Sequence, residues 1–152
     1  MKMYLPFGDW SNDGHGEYKK VLINAPSMQH LLNAELKIKE KYGKDFFETF
    51  AQNYLERSLS EKNIQALKDS GIKMTDIFED VDVNNENDFY TFDEWIKIEN
   101  GFLEIEEIIK LFIYLLNAYG ANIMRLDEYN EIPMICNWTC NGFETVGYGC
   151  YD

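Results

Sequence analysis

The residues best suited to chemistry near the start of the chain lie in a loop rich in Asp, Ser and Gly. Asp9, Ser11, Asp13 and Gly14 follow the pattern D-x-S-x-D-G, which opens the calcium-binding loop of an EF-hand. Oxygen ligands of this kind suit a hard cation such as calcium. The pattern then fails, because Lys20 stands where the loop needs a bidentate glutamate. We therefore expect no cofactor, keep Asp9, Ser11 and Asp13 as candidate metal ligands, and favour a loop held by its own hydrogen bonds.

His15 lies in the same loop, between two glycines and close in sequence to Asp9 and Asp13. An imidazole supported by a carboxylate can act as a general base or as a metal ligand. The other interpretation, which we favour, is a histidine whose hydrogen bonds stabilise a long loop. Asp9, Asp13 and His15 therefore carry an alternative hypothesis, in which the chain is an enzyme or a metal-binding domain.

A second acidic stretch, DVNNENDFYTFDE at residues 82–94, resembles a degenerate EF-hand loop. Counted from Asp82, potential ligands fall at Asn84, Glu86 and Asp88, but Asn87 replaces the glycine required at the sixth position. Asp93 rather than glutamate stands at the twelfth position. We therefore interpret the stretch as an acidic, solvated loop.

The three cysteines give little support for nucleophilic catalysis. Cys136 and Cys140 lie on one predicted strand, roughly 13 Å apart, so they cannot form a disulfide with each other. Their spacing, with Cys150 as the third cysteine, does not match a zinc site. An odd number of cysteines indicates reduced thiols in a cytosolic protein. We predict no catalytic residue, and we favour a binding protein over an enzyme.

The net charge of −13 excludes direct, generic binding to nucleic-acid phosphates. Two interpretations remain: a housekeeping domain whose acidity serves solubility, and a domain that binds a protein partner with a basic surface. Aromatic side chains ringed by acidic groups would anchor such a partner. The predicted partner-binding residues are Asp9, Trp10, Asp13, His15, Asp80, Asp82, Glu86, Asp88 and Tyr90.

The predicted function is therefore a non-enzymatic acidic protein-binding domain, specifically an inhibitor or immunity-type antagonist that covers the basic face of a partner. We expect a cytoplasmic protein, because the N-terminus lacks the apolar core of a signal peptide. We expect no membrane contact, because the longest apolar run, Leu111–Leu116, is far shorter than the ~20 residues that span a bilayer.

The domain that positions these loops is expected to be organised around a helix over Ile105–Tyr119. Apolar residues cover most of its circumference, and only Glu106, Glu107, Lys110 and Asn117 mark a hydrophilic edge. A helix that is apolar on most sides must be buried on most sides. Gly120 follows, as is typical of a helix C-terminus.

Further helices are expected before this central one. Ser27 is predicted to cap a helix that runs to Tyr42. A stripe of apolar residues over 47–55 indicates a second helix, and Ser60 caps a third that ends at Gly71.

Residues 73–106 carry weaker signals. Thr75–Val81 has the pattern of a helical turn. Thr91 and Glu94 form a capping box that predicts a helix through Glu99. Against this, the Asn-Gly pair at 100–101 lies between segments in which apolar and polar residues alternate, and this pattern predicts a β-hairpin. We slightly favour the helix.

Strands are predicted at both ends of the chain. Met3–Asn24 has the pattern of a β-hairpin with a long loop, and Ile132–Asp152 that of a hairpin turning at Asn141-Gly142. Together they predict an α+β fold: a single domain over residues 1–152, with an antiparallel sheet of about four strands, a central buried helix and three or more further helices.

Overall fold

The computed structural model describes residues 2–8, 18–47, 57–78 and 91–126. In chain order these residues form β1 (Lys2–Gly8), β2 (Tyr18–Asn24), α1 (Met28–Tyr42), α2 (Glu61–Asp69), α3 (Met74–Ile77), α4 (Phe92–Glu99), α5 (Ile105–Ala118) and β3 (Met124–Arg125). The combination of helices with an antiparallel sheet confirms the predicted mixed fold. No helix among the described residues has the length and apolar character needed to cross a bilayer.

The sheet begins with the predicted N-terminal hairpin. β1 pairs antiparallel with β2 in a register that runs from Lys2 opposite Asn24 to Gly8 opposite Tyr18. The antiparallel strand pair of the predicted hairpin is confirmed. The long loop predicted between the strands, residues 9–17, lies outside the described residues.

The prediction of about four strands is not met by the described residues. Beside the β1–β2 pair they add only the two-residue β3, which pairs with Ile23 and Asn24 of β2. Two residues are too short to show a period in sequence, and β3 is positioned by tertiary contacts instead. The predicted hairpin over Ile132–Asp152 lies outside the described residues.

The central helix is α5, and it is buried as predicted. Six of its apolar side chains have no exposed surface: Ile108, Ile109, Leu111, Phe112, Leu115 and Leu116. α5 contacts α1, α2 and α3. An edge-to-face contact, with ring centroids 5.7 Å apart, joins Phe112 to Phe47. Burying each such side chain stabilises the fold by about 1.5–3 kcal/mol, so α5 supplies much of the core.

The helices before α5 begin and end where the capping residues predict. The Ser27 hydroxyl accepts a hydrogen bond from the His30 amide, and Ser60 caps α2 in the same way through the Asn63 amide. Gly43, at φ 111°, ends α1. The helix predicted over 47–55 falls outside the described residues except for Phe47. α3 begins one residue before the predicted turn and ends at Ile77.

The two competing signals over 91–106 are decided in favour of the helix. Thr91 caps α4, with its hydroxyl accepting from the Glu94 amide. The hairpin alternative is wrong, because Asn100 has φ −64° and so lacks the positive φ that a type I′ turn requires. The Asn100 side chain instead accepts from the Leu59 amide at 2.7 Å and donates to the Leu59 carbonyl at 3.1 Å.

Candidate functional site

The predicted site residues all lie in two stretches that the structure does not describe. Residues 9–17 contain Asp9, Trp10, Ser11, Asp13 and His15, and residues 79–90 contain Asp80, Asp82, Glu86, Asp88 and Tyr90. Their roles therefore stay predictions. What the structure does give is the position of the residues that flank each stretch.

The ends of the first acidic stretch are held together by the sheet. Gly8 and Tyr18, the residues on either side of it, are paired partners of β1 and β2. The antiparallel ladder between these strands fixes the two points from which the stretch departs.

The ends of the second acidic stretch are held together by aromatic packing. Phe78 precedes the stretch, and its ring lies edge-on to that of Trp95, with centroids 5.7 Å apart. Phe92, one residue after Thr91, packs on the same indole at 6.0 Å. Trp95 is only 7% exposed. Aromatic pairs of this geometry contribute about 0.5–1.5 kcal/mol beyond their buried area, so both ends are attached to one buried indole.

Charge is distributed very unevenly between these stretches and the rest of the chain. All 14 lysine and arginine residues lie in the described ranges, together with 12 of the 27 aspartate and glutamate residues. The other 15 acidic residues fall in 9–17, 48–56, 79–90 and 127–152, which contain no lysine or arginine. The described part of the chain thus has a small positive net charge, and the acidity belongs to the other segments.

Several cations of the described part are engaged by its own carboxylates. Lys68 Nζ lies 2.5 Å from Asp93 Oδ1, and Lys97 Nζ lies 3.4 Å from Asp93 Oδ2. The hydrogen bond from Lys68 is the main reason why the pKa of Asp93 falls below its usual value. Lys62 lowers the pKa of Asp45 in the same manner, at 3.2 Å.

A cleft of about 270 Å³ lies beside the hydrophilic edge of α5. Asn117 positions one side of it, because its amide group accepts from the Ile123 amide at 2.6 Å and donates to the Ile123 carbonyl at 3.0 Å. This directs β3 back along the helix, where Arg125 forms an ion pair with Glu106. The lining residues are Asp76, Ile77, Lys110, Ile113, Tyr114, Asn117 and Arg125.

The lining of this cleft is mainly apolar, and Asp76, Lys110 and Arg125 add charges of both signs to it. Lys110 Nζ donates to the Ile77 carbonyl at 3.4 Å, and the Arg125 guanidinium is engaged by Glu106. Lys110 and Asn117 belong to the hydrophilic edge visible in the sequence, whereas Arg125 carries no sequence signal of its own. Within the described ranges, no group of three or more His, Cys, Asp or Glu side chains is arranged to hold a metal ion.

A second polar cluster joins the C-terminal ends of α1 and α2. The Tyr42 hydroxyl donates to Asp69 Oδ2 at 2.6 Å, and Gln65 Nε2 donates to Asp69 Oδ1 at 2.8 Å. Burial, followed by the hydrogen bond to Asp69, raises the pKa of Tyr42 well above its usual value. The phenol therefore stays protonated at neutral pH and serves as a structural donor rather than a base.

Comparisons with known proteins give no relative on which function can be based. No protein-family model, no curated protein and no solved structure matches this chain. The function must therefore be argued from charge, burial and geometry.

Proposed function

We propose that this chain is a non-enzymatic acidic protein-binding domain, specifically an inhibitor or immunity-type antagonist that covers the basic face of a partner protein. The observation that carries the proposal is the separation of charge along the chain. Residues 9–17 contain three carboxylates, residues 79–90 contain five, and neither stretch contains a lysine or an arginine. The sequence composition supports a cytoplasmic location, which is part of the same proposal.

Concentrated negative charge of this kind mainly raises the rate at which a basic partner associates and favours that partner over others. A complementary basic face would be attracted over roughly a Debye length, about 8 Å at physiological salt, which raises the association rate constant. Aromatic residues beside the carboxylates, Trp10 and Tyr90, are of the types that anchor protein interfaces. The attachment of each stretch at both ends supports the proposal, since a tethered loop loses less conformational entropy on binding than a free tail.

Affinity capture from the native host and its mobile elements, with the full chain as bait, is the first test. We expect a stable partner with a basic surface. The association rate constant, measured by stopped flow, should fall at least roughly tenfold between about 50 and about 300 mM salt. Failure to recover any basic partner, or an association rate that does not depend on salt, would contradict the proposal.

Two variants with the same net charge test which carboxylates raise the association rate constant. Asp82→Asn/Asp88→Asn removes two charges from the second acidic stretch, and Glu40→Gln/Glu61→Gln removes two from exposed helix positions in the described part. The net charge of the two variants is the same. We expect the first pair to slow association several-fold more than the second, because nearby charges steer encounter more strongly than distant ones.

Titration calorimetry distinguishes the proposed protein-binding function from the alternative, which is an enzyme or metal-binding domain that uses Asp9, Asp13 and His15. The proposed function needs no metal. Binding of calcium, magnesium or zinc with a dissociation constant below about 10 μM, lost in Asp13→Ala, would favour the alternative.

A further inference from the structure

The turn between α4 and α5 presents an aromatic side chain to solvent. Phe102 is 80% exposed, the highest value among the large hydrophobic residues of the described part. Ile98 is 61% exposed and precedes it by four residues, on the last turn of α4. An isolated exposed apolar residue is ordinary on a protein surface. Here two of them lie at the junction of α4 and α5, and Ile98 and Phe102 together are called the patch below.

The backbone around Phe102 is firmly attached. The amides of Gly101 and Leu103, on either side of it, both donate to the Arg57 carbonyl at 3.0 Å. The Phe102 amide itself donates to the Glu99 carbonyl at 2.9 Å, and Leu103 is fully buried. The ring therefore stands on a backbone that is already ordered, which lowers the entropic cost of using it in an interface.

Two carboxylates flank the turn directly: Glu99 ends α4 and Glu104 precedes α5. The cationic residues in its vicinity are Arg57, whose carbonyl accepts from the turn, and Lys97, which lies 3.4 Å from Asp93. Burial is the main cause of the raised pKa of Glu107, and repulsion by Glu104 and Glu99 adds to it, so these carboxylates lie close enough to repel one another.

We propose that Phe102 and Ile98 are the hydrophobic anchor by which this chain docks on its partner, inserting into an apolar pocket rimmed by lysine and arginine. This inference rests on the proposed function and names the surface that it uses. A second copy of the chain is a poor occupant, because the same carboxylates would face one another. A basic rim would instead pair with Glu99 and Glu104 while the pocket removes both apolar side chains from water.

Site-specific photo-crosslinking of the full chain in its native host tests the position. A benzophenone amino acid at residue 102 should capture a protein with a basic surface, and the same group at residue 36 should not. Leu36 is the matched control, since it is 57% exposed but lies on α1 beside Lys37 and Lys39. No capture at residue 102, or equal capture at residue 36, would overturn the inference.

Binding of the captured protein, purified, then tests the energetics. Phe102→Ser should weaken binding by about 30-fold or more, the level expected of an interface hot spot. Ile98→Ser should weaken binding about tenfold and serves as the second variant if Phe102→Ser fails to fold by circular dichroism. Leu36→Ser should stay within about twofold of the wild type, as surface substitutions do.

The failures of the two proposals are distinguishable. If a basic partner binds with a salt-dependent association rate and both serine variants bind like the wild type, the docking inference is wrong and the proposed function stands. If no basic partner exists, both are wrong. A wild-type dimer in sedimentation that Phe102→Ser converts to monomer would make a second copy the occupant, and would also overturn the inference.

Discussion

The side-chain amide of Asn100 stabilises the fold by hydrogen bonding to the backbone of Leu59. Its Oδ1 and Nδ2 atoms bond the amide and the carbonyl of Leu59, and Leu59 is only 4% exposed. Removing the amide in Asn100→Ala leaves two buried backbone groups without this partner, so we expect a loss of about 1–3 kcal/mol in the free energy of unfolding. Urea denaturation measures it.

Two further variants complete this test at the residue scale. Asn100→Asp keeps the acceptor for the Leu59 amide and should lose less than the alanine variant. Asn33→Ala removes an exposed amide whose partner is Gln29, and should change stability by less than about 0.5 kcal/mol. Equal effects at positions 100 and 33 would contradict the role assigned to Asn100.

At the scale of elements, α5 is where the core is most sensitive. Phe112 is fully buried and packs on Phe47, so Phe112→Ala should lower the free energy of unfolding by about 3–5 kcal/mol through lost burial and the cavity left behind. Leu36→Ala, at a position 57% exposed, is the control and should cost much less. Thermal and urea denaturation both report the difference, and a small effect at Phe112 would refute the central role of α5.

The contact between α2 and α4 should depend on pH. Lys68 lowers the pKa of Asp93, so the carboxylate is favoured in the folded state. Its stabilising effect is present above the ordinary aspartate pKa of 3.8 and is lost as the pH falls through the lower, folded value. Asp93→Asn should therefore weaken the dependence of the urea midpoint on pH below about pH 4. An unchanged pH profile would contradict this.

The elements that the sequence predicts well are those with local signals. Ser27, Ser60 and Thr91 cap their helices as their side chains dictate, and the apolar circumference of α5 reports its burial. The sequence does not predict β3, because strand pairing with β2 and the contacts of Asn117 and Glu106 position Met124 and Arg125, and none of these contacts gives a local sequence signal. The Asn-Gly pair at 100–101 does form a turn, but the turn joins two helices rather than two strands, because Thr91 caps α4 before it. The acidic site residues were predicted from type and charge alone, and their positions stay untested.

At the scale of the whole molecule, the net charge of −13 opposes compaction. Self-repulsion destabilises a folded state of high charge, and salt screens it. The melting temperature should therefore rise by a few degrees, about 2–5 °C, between about 10 and about 150 mM sodium chloride. Differential scanning fluorimetry measures it, with a neutral osmolyte of equal osmolality as the control. A melting temperature that does not change would argue against self-repulsion.

The strand β3 is attached to both ends of one helix. The Asn117 side chain, on the last turn of α5, hydrogen bonds to the amide and the carbonyl of Ile123. Glu106, on the first turn of the same helix, forms an ion pair with Arg125. Directly after Arg125, the Leu126 amide donates to the Leu22 carbonyl of the sheet at 2.9 Å. Separating β3 from the sheet would break contacts at each end of the central helix, so fraying of this strand and loosening of the helix are coupled into one cooperative event.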